Sequence, residues 1–173
     1  MRTWIDVATL AKTKNLQGGF VVRSAANLPF LLSAGLEVAF VPPALDAPRH
    51  ARVETVAPSG ERAAVVTFDV VCDIDTAEKL AGCHCLVRRA DLPEEVFKQC
   101  DEGWAGWQVR DAHAGLLGVV SRIEEMPGQM MLEVAAAGQD RTILIPLVDE
   151  FVVGVDDDAR VIDVAVPSGL LDL

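Results

Sequence analysis

The chain has 173 residues, 51 % of them hydrophobic, and a formal net charge of −11. It has room for one medium domain or two small ones with real apolar cores, and no apolar run is long and uncharged enough to cross a bilayer as a helix. The charge is uneven: residues 1–90 hold ten Lys/Arg against nine Asp/Glu, whereas residues 91–173 hold five against seventeen, a net −12, which disfavours a phosphate backbone and favours basic proteins beyond the solubility any acidic surface gives.

From its start, MRTWIDVATLAK, the chain carries no apolar stretch followed by a small-residue cleavage site, so it reads as cytoplasmic. Trp4 to Leu10 is an apolar strand, Lys12-Thr13-Lys14-Asn15 a polar turn, and Gly18-Gly19 lets the backbone fold back into Phe20–Arg23. Further strands are expected at Leu36–Val41, Arg52–Val56 and Ala63–Val71, separated by Pro42-Pro43 and Pro58-Ser59-Gly60. One short helix follows. Asp75 is its expected N-cap with Glu78 at capping-box spacing, Ala77 and Leu80-Ala81 form its apolar side, and Gly82 stops it. Cys83–Val87 is the last strand of this half, and Arg88-Arg89 face water at its end.

Between Ala90 and Gly103 the apolar periodicity is lost, which places a domain boundary there. Residues 1–90 form one unit, 91–102 a linker and 103–173 a second unit. In the second, strands are expected at Trp107–Arg110, Leu117–Ile123, Met131–Ala135, Thr142–Ile145, Phe151–Val155 and Val161–Val166, with Pro146 ending one of them. The expected fold class is all-β: two small β-barrels joined by a linker, with one short helix in the first. Closure into barrels removes the edges such Val-rich strands would expose.

The chemistry-bearing residues form no convincing site. Four cysteines fit no zinc spacing and no redox pair, and read as reduced thiols. On a strand, Cys83 and Cys85 point one way and His84 the other, so the three cannot share an ion; a buried cysteine pair with an exposed histidine is expected. Asp156-Asp157-Asp158 lacks the alternating ligands of a calcium loop, and no Gly-x-Ser-x-Gly elbow or phosphate-cradling Gly-Lys-Ser/Thr occurs. No metal, cofactor or small-molecule substrate is expected. Trp104 and Trp107 flank Gly106; three apart in an extended segment, they point to opposite faces, leaving one available to a partner.

The order and spacing of several segments resemble the ribosome maturation factor RimM family. DIDTAEKLAGCHCLVRRADLP resembles its Asp-x-x-x-Ala-Glu-x-Leu-x-Gly helix and following strand, GWAGWQVRDAHAGLLGVVSRI the opening of its second domain, and ILIPLVDEFVVGVDDDARVIDVAVPSGLLDL its end. The likeness runs from about Trp4 to Leu171. Three departures stand out: Lys14-Asn15 and Gly18-Gly19 replace the family's first turn, Gln99 and Cys100 stand where it has paired tyrosines, and Trp104 replaces a leucine.

The resemblance implies an N-terminal β-barrel and a C-terminal PRC-barrel. It implies a non-enzymatic assembly factor that binds the head of the small ribosomal subunit and supports rRNA processing. Its second domain would contact a basic head protein of the S19 family, and its first would lie near rRNA. On that basis Trp104, Trp107, Pro146, Leu147 and Phe151 are candidates for the ribosomal-protein face. Lys12, Lys14, Arg23, Arg88 and Arg89 are candidates for an RNA-facing side, in a protein expected to be a monomer. The competing expectation is a two-barrel enzyme or ligand-binding protein with a pocket between the domains; the lack of convergent titratable residues weighs against it.

Overall fold

The computed structural model describes residues 3–25, 28–97 and 103–171. Twelve strands and three short α-helices are found among them. The chain divides into two compact units, Ile5–Gly103 and Met1–Trp4 with Trp104–Leu173.

In the N-terminal unit, β1 (Thr3–Thr13), β2 (Phe20–Ser24), β3 (Glu37–Val41), β4 (His50–Pro58), β5 (Ala63–Phe68) and β6 (His84–Arg88) run in the spatial order β1-β2-β5-β4-β3-β6, and β6 pairs back onto β1. The sheet is thus closed into a six-stranded barrel without a free edge. Alternation sets what faces inward: Val53 on β4 and Ala64, Val66 and Phe68 on β5 are buried, and their neighbours are not. Phe68 anchors the interior, meeting Phe20 edge-on at 5.8 Å and Phe40 at 5.2 Å with rings at 90°. Such pairs add roughly 0.5–1.5 kcal/mol beyond the area they bury.

The helix α1 (Ile74–Leu80) seats Ala77 and Leu80 in this core, but its N-cap is Asp73 and not the expected Asp75. Asp73 has the extended backbone a cap needs, and its carboxylate accepts the Thr76 N–H at 2.8 Å and the Thr76 hydroxyl at 2.9 Å. Asp75 sits in the first turn, where its charge suits the helix dipole. A second departure is His84, which is buried, not exposed. All of β6 up to Val87 is covered on both faces, so alternation does not bring His84 to water. Its Nδ1 lies 3.0 Å from Oδ2 of the buried Asp6, with the Thr9 hydroxyl 3.5 Å away. The stretch after β6 is not bare linker either. Leu92 joins the core, and Val96 and Phe97, the latter ending α2 (Glu94–Phe97), pack against it. Residues 98–102, with Gln99 and Cys100, lie outside the described residues.

The C-terminal unit holds β7 (Gln108–Asp111), β8 (Gly115–Met126), β9 (Gln129–Ala136), β10 (Thr142–Pro146), β11 (Val152–Asp156), β12 (Val161–Val164) and α3 (Ser168–Leu171). Their order is β11-β12-β7-β8-β9-β10, antiparallel except for the parallel pair β12–β7. Thr3 and Trp4 add to this unit by pairing with Glu124 and Ile123 of β8. Its interior is built from Val109, Val120, Leu132, Val134, Ile145, Ile162 and Val164, all buried.

Candidate binding surfaces

In the C-terminal unit, the segment before β7 is a tight turn and not an extended strand. The Trp107 N–H donates to the Trp104 carbonyl at 3.0 Å, and Gly106 supplies the left-handed φ of 82° that its place in the turn requires. The two rings therefore lie together, centroids 6.5 Å apart, instead of on opposite faces. Both are buried, at 1 % and 5 % exposure, so neither presents a surface to a partner. Leu147 is also buried, its N–H donating to the Met130 carbonyl at 2.9 Å. Of the five residues proposed for this face, only Pro146 and Phe151 keep part of their surface in water.

The apolar side chains that are exposed lie elsewhere. Leu116 and Val119 on β8, Leu144 on β10 and Val153 on β11 are 54 %, 42 %, 38 % and 59 % exposed. Strand register ties the first three to one outer face. Val119 stands opposite Ala135 of β9, which stands opposite Thr142 of β10; Leu144, two residues on, is opposite Glu133. Leu116 is opposite Arg110 of β7. Sequence reading missed this face because Leu116-Leu117 and Val119-Val120 are apolar pairs with one member in and one out. A bulge between Val109 and Arg110 resets the phase. The two arginines on the face are matched: Arg110 bonds Asp163 and Arg122 bonds Glu133, each at 2.8 Å.

In the N-terminal unit the basic candidates separate into two groups. Lys12, Lys14 and Arg23 are exposed on β1, the β1–β2 turn and β2. The turn is firmly built: Asn15 Oδ1 accepts the N–H groups of Gln17 and Gly19, and Gly18 lies so close to the Val71 carbonyl that a Cβ there would come within 2.4 Å of its oxygen. Arg88 and Arg89 do not simply face water. Arg88 bonds Glu37 at 2.6 Å, and Arg89 bonds both oxygens of Glu94 with its guanidinium 3.8 Å from the Phe97 ring centre. Arg88, Glu37, Arg52 and Asp91 line an open hollow of about 480 Å³ with Ser33–Leu36. The Arg88 hydrogen bond and charge, aided by Arg52, hold the Glu37 carboxyl below its ordinary value. Two arginines and two carboxylates leave the hollow without net charge.

Among the described residues, no three His, Cys, Asp or Glu side chains gather as a metal site would require. Cys83 instead reaches the Pro42 carbonyl at 3.3 Å, and burial pushes the Cys85 thiol well up, with the Asp6 and Cys83 charges adding to it. Among the described residues, no helix is long and apolar enough to cross a membrane.

Residues 102–170 match the RimM PRC barrel domain. A protein of Nitratidesulfovibrio vulgaris (strain DP4) named ribosome maturation factor RimM is 32 % identical over 174 residues, covering 98 % of this chain and 95 % of its own. The chain belongs to the RimM family. A RimM of Sorangium cellulosum is 30 % identical over 98 % of this chain and 99 % of its own. A crystal structure of a RimM described as a 16S ribosomal RNA processing protein, from Pseudomonas aeruginosa, aligns over 96 % of this chain and 99 % of the other, at 20 % identity and a TM-score of 0.43. The barrel assignment rests on the strand pairings above. Within this chain, the C-terminal unit carries the PRC-barrel match together with an acidic excess of twelve Asp/Glu over four Lys/Arg in residues 104–173.

Proposed function

We propose that this protein is a non-catalytic ribosome maturation factor of the cytoplasm. It binds the head of the small ribosomal subunit during assembly and supports rRNA processing there. The observation that carries the reading is the match to relatives named ribosome maturation factor RimM over 98 % of the chain. The acidic C-terminal unit contacts a basic head protein of the S19 family, for which four Lys/Arg against twelve Asp/Glu over residues 104–173, a net −8, is the fitting charge. The less acidic N-terminal unit, with ten Lys/Arg against fourteen Asp/Glu over residues 5–103, lies beside rRNA, with Lys12, Lys14 and Arg23 towards it. The same acidic charge opposes self-association and supports a monomer. The open hollow at Glu37 favours no enzymatic reading, because its charged groups are already paired with one another.

The test is co-sedimentation with purified small ribosomal subunits in low and high salt. Stoichiometric binding in low salt that weakens as salt screens the charges is expected. Absence of the protein from the subunit fraction in low salt would sink the reading.

A further inference from the structure

We infer that the outer face of β8, β9 and β10, centred on Leu116, Val119, Ala135 and Leu144, is where the C-terminal unit docks a basic protein. The inference rests on the proposed function for the nature of the partner, and names the surface that meets it. Val119 and Ala135 are directly opposed, which brings their side chains to about 5 Å, and Leu144 is the diagonal neighbour of Ala135. Two branched side chains and an alanine thus form a continuous apolar strip across three strands, with Leu116 extending it along β8. A rigid sheet presents it, so little conformational entropy is lost on binding.

Charge selects the occupant. The arginines on this face, Arg110 and Arg122, are held by Asp163 and Glu133, so they offer no surplus positive charge to a phosphate backbone. Asp156, Asp157 and Asp158 are exposed beyond β11, in a half of the chain carrying a net −12. RNA is repelled, and leucine and valine give bases nothing to stack on. A second copy of this chain would bring −11 against −11. A lysine- and arginine-rich protein with an apolar anchor satisfies both features: the charge steers the encounter and the strip supplies the desolvated centre.

The experiment is calorimetric titration of the full-length protein with a purified basic head protein of the S19 family, alongside small-subunit co-sedimentation. The paired substitution Val119→Thr with Leu144→Thr removes apolar surface, keeps β-forming residues and leaves charge unchanged. It should weaken binding about tenfold or more. The pair Leu45→Thr with Val70→Thr, at exposed apolar positions of the N-terminal unit, should leave it unchanged. Unaltered affinity in the β8–β10 pair, with the wild type binding, overturns the face and leaves the functional reading standing. A wild type that binds neither the purified protein nor the subunit overturns both. A wild-type dimer that the β8–β10 pair dissolves makes a second copy the occupant and overturns the inference. Should that pair be unfolded by circular dichroism, Leu116→Thr and Leu144→Thr singly carry the same test.

Discussion

Asp111 accepts the backbone N–H of Val166 at 3.0 Å with one carboxylate oxygen, across 55 positions of sequence. Its other oxygen accepts the N–H groups of His113 and Ala114, both at 2.8 Å, closing the turn between β7 and β8. One buried carboxylate therefore fastens the segment after β12 to the turn of the β7–β8 hairpin. Asp111→Ala leaves three donors without their acceptor, one on the buried Val166. A loss of about 2–3 kcal/mol is expected by urea denaturation. Asp111→Asn should lose less, because its one carbonyl oxygen still serves part of the set.

The same residue sets a pH dependence. Burial pushes the Asp111 carboxyl up, but the N–H groups of Ala114, Val166 and His113 and the His113 charge outweigh it, leaving the group below its ordinary value. A carboxyl lowered by folding stabilises the protein above its unfolded pKa of about 3.9, and that contribution disappears as pH falls through the folded value. The stability gap between wild type and Asp111→Asn should narrow below about pH 4. A gap that stays unchanged as pH falls well below about 4 would contradict this origin.

Gly118 on β8 faces the backbone of β9 so closely that a Cβ would lie 1.9 Å from the Ala135 carbonyl oxygen. A main-chain carbonyl within a paired ladder cannot swing aside as a flexible side chain would. Gly118→Ala should cost roughly 2–3 kcal/mol by the usual effect of overpacking. Gly169→Ala, at a position with open space around its Cβ, should stay within about 0.5 kcal/mol of wild type. Thermal melts of the two variants side by side make the comparison.

Much of this architecture is legible in the sequence, and the exceptions have physical causes. Val53 on β4 and Ala64, Val66 and Phe68 on β5 alternate with less buried neighbours, and proline or glycine punctuates the turns, so the strands can be read directly. Alternation fails for β6, covered on both faces, which is why His84 is inside with Asp6. It fails again at Trp104 and Trp107, because a glycine between them turns the chain and brings both rings inward. The exposed strip on β8–β10 depends on a bulge, and a one-residue slip of phase exchanges the inner and outer faces.

Thiol reactivity follows from the same burial pattern. Cys72 is exposed, while Cys83 and Cys85 are buried and burial holds the Cys85 thiol well above its ordinary value. Only the thiolate reacts rapidly. In a Cys100→Ser background at pH 8, one equivalent of a thiol reagent should add quickly, at Cys72 by peptide mass mapping. Cys83 and Cys85 should react only as the protein unfolds in denaturant. Rapid native labelling of Cys85 would show that the barrel opens far more readily than its closed strand order implies.

The separation of the basic residues into two groups predicts two different phenotypes. Lys12, Lys14 and Arg23 are exposed on neighbouring strands and their connecting turn, whereas Arg88 and Arg89 are engaged with Glu37 and Glu94. If the first group meets rRNA, replacing all three by alanine removes up to three phosphate contacts. Each contact contributes roughly 0.7–0.9 to the slope of log affinity against log salt. The triple variant should therefore bind small subunits more weakly at low salt, with a slope shallower by up to about 2–3, and melt as the wild type does. Arg88→Ala with Arg89→Ala should keep the slope. It should lower the melting temperature instead, because Glu37 loses its closest cation and Phe97 loses the guanidinium over its ring. An unchanged slope in the Lys12, Lys14 and Arg23 variant, measured by sedimentation between about 50 and 200 mM salt, would remove the β1–β2 side from contact with rRNA.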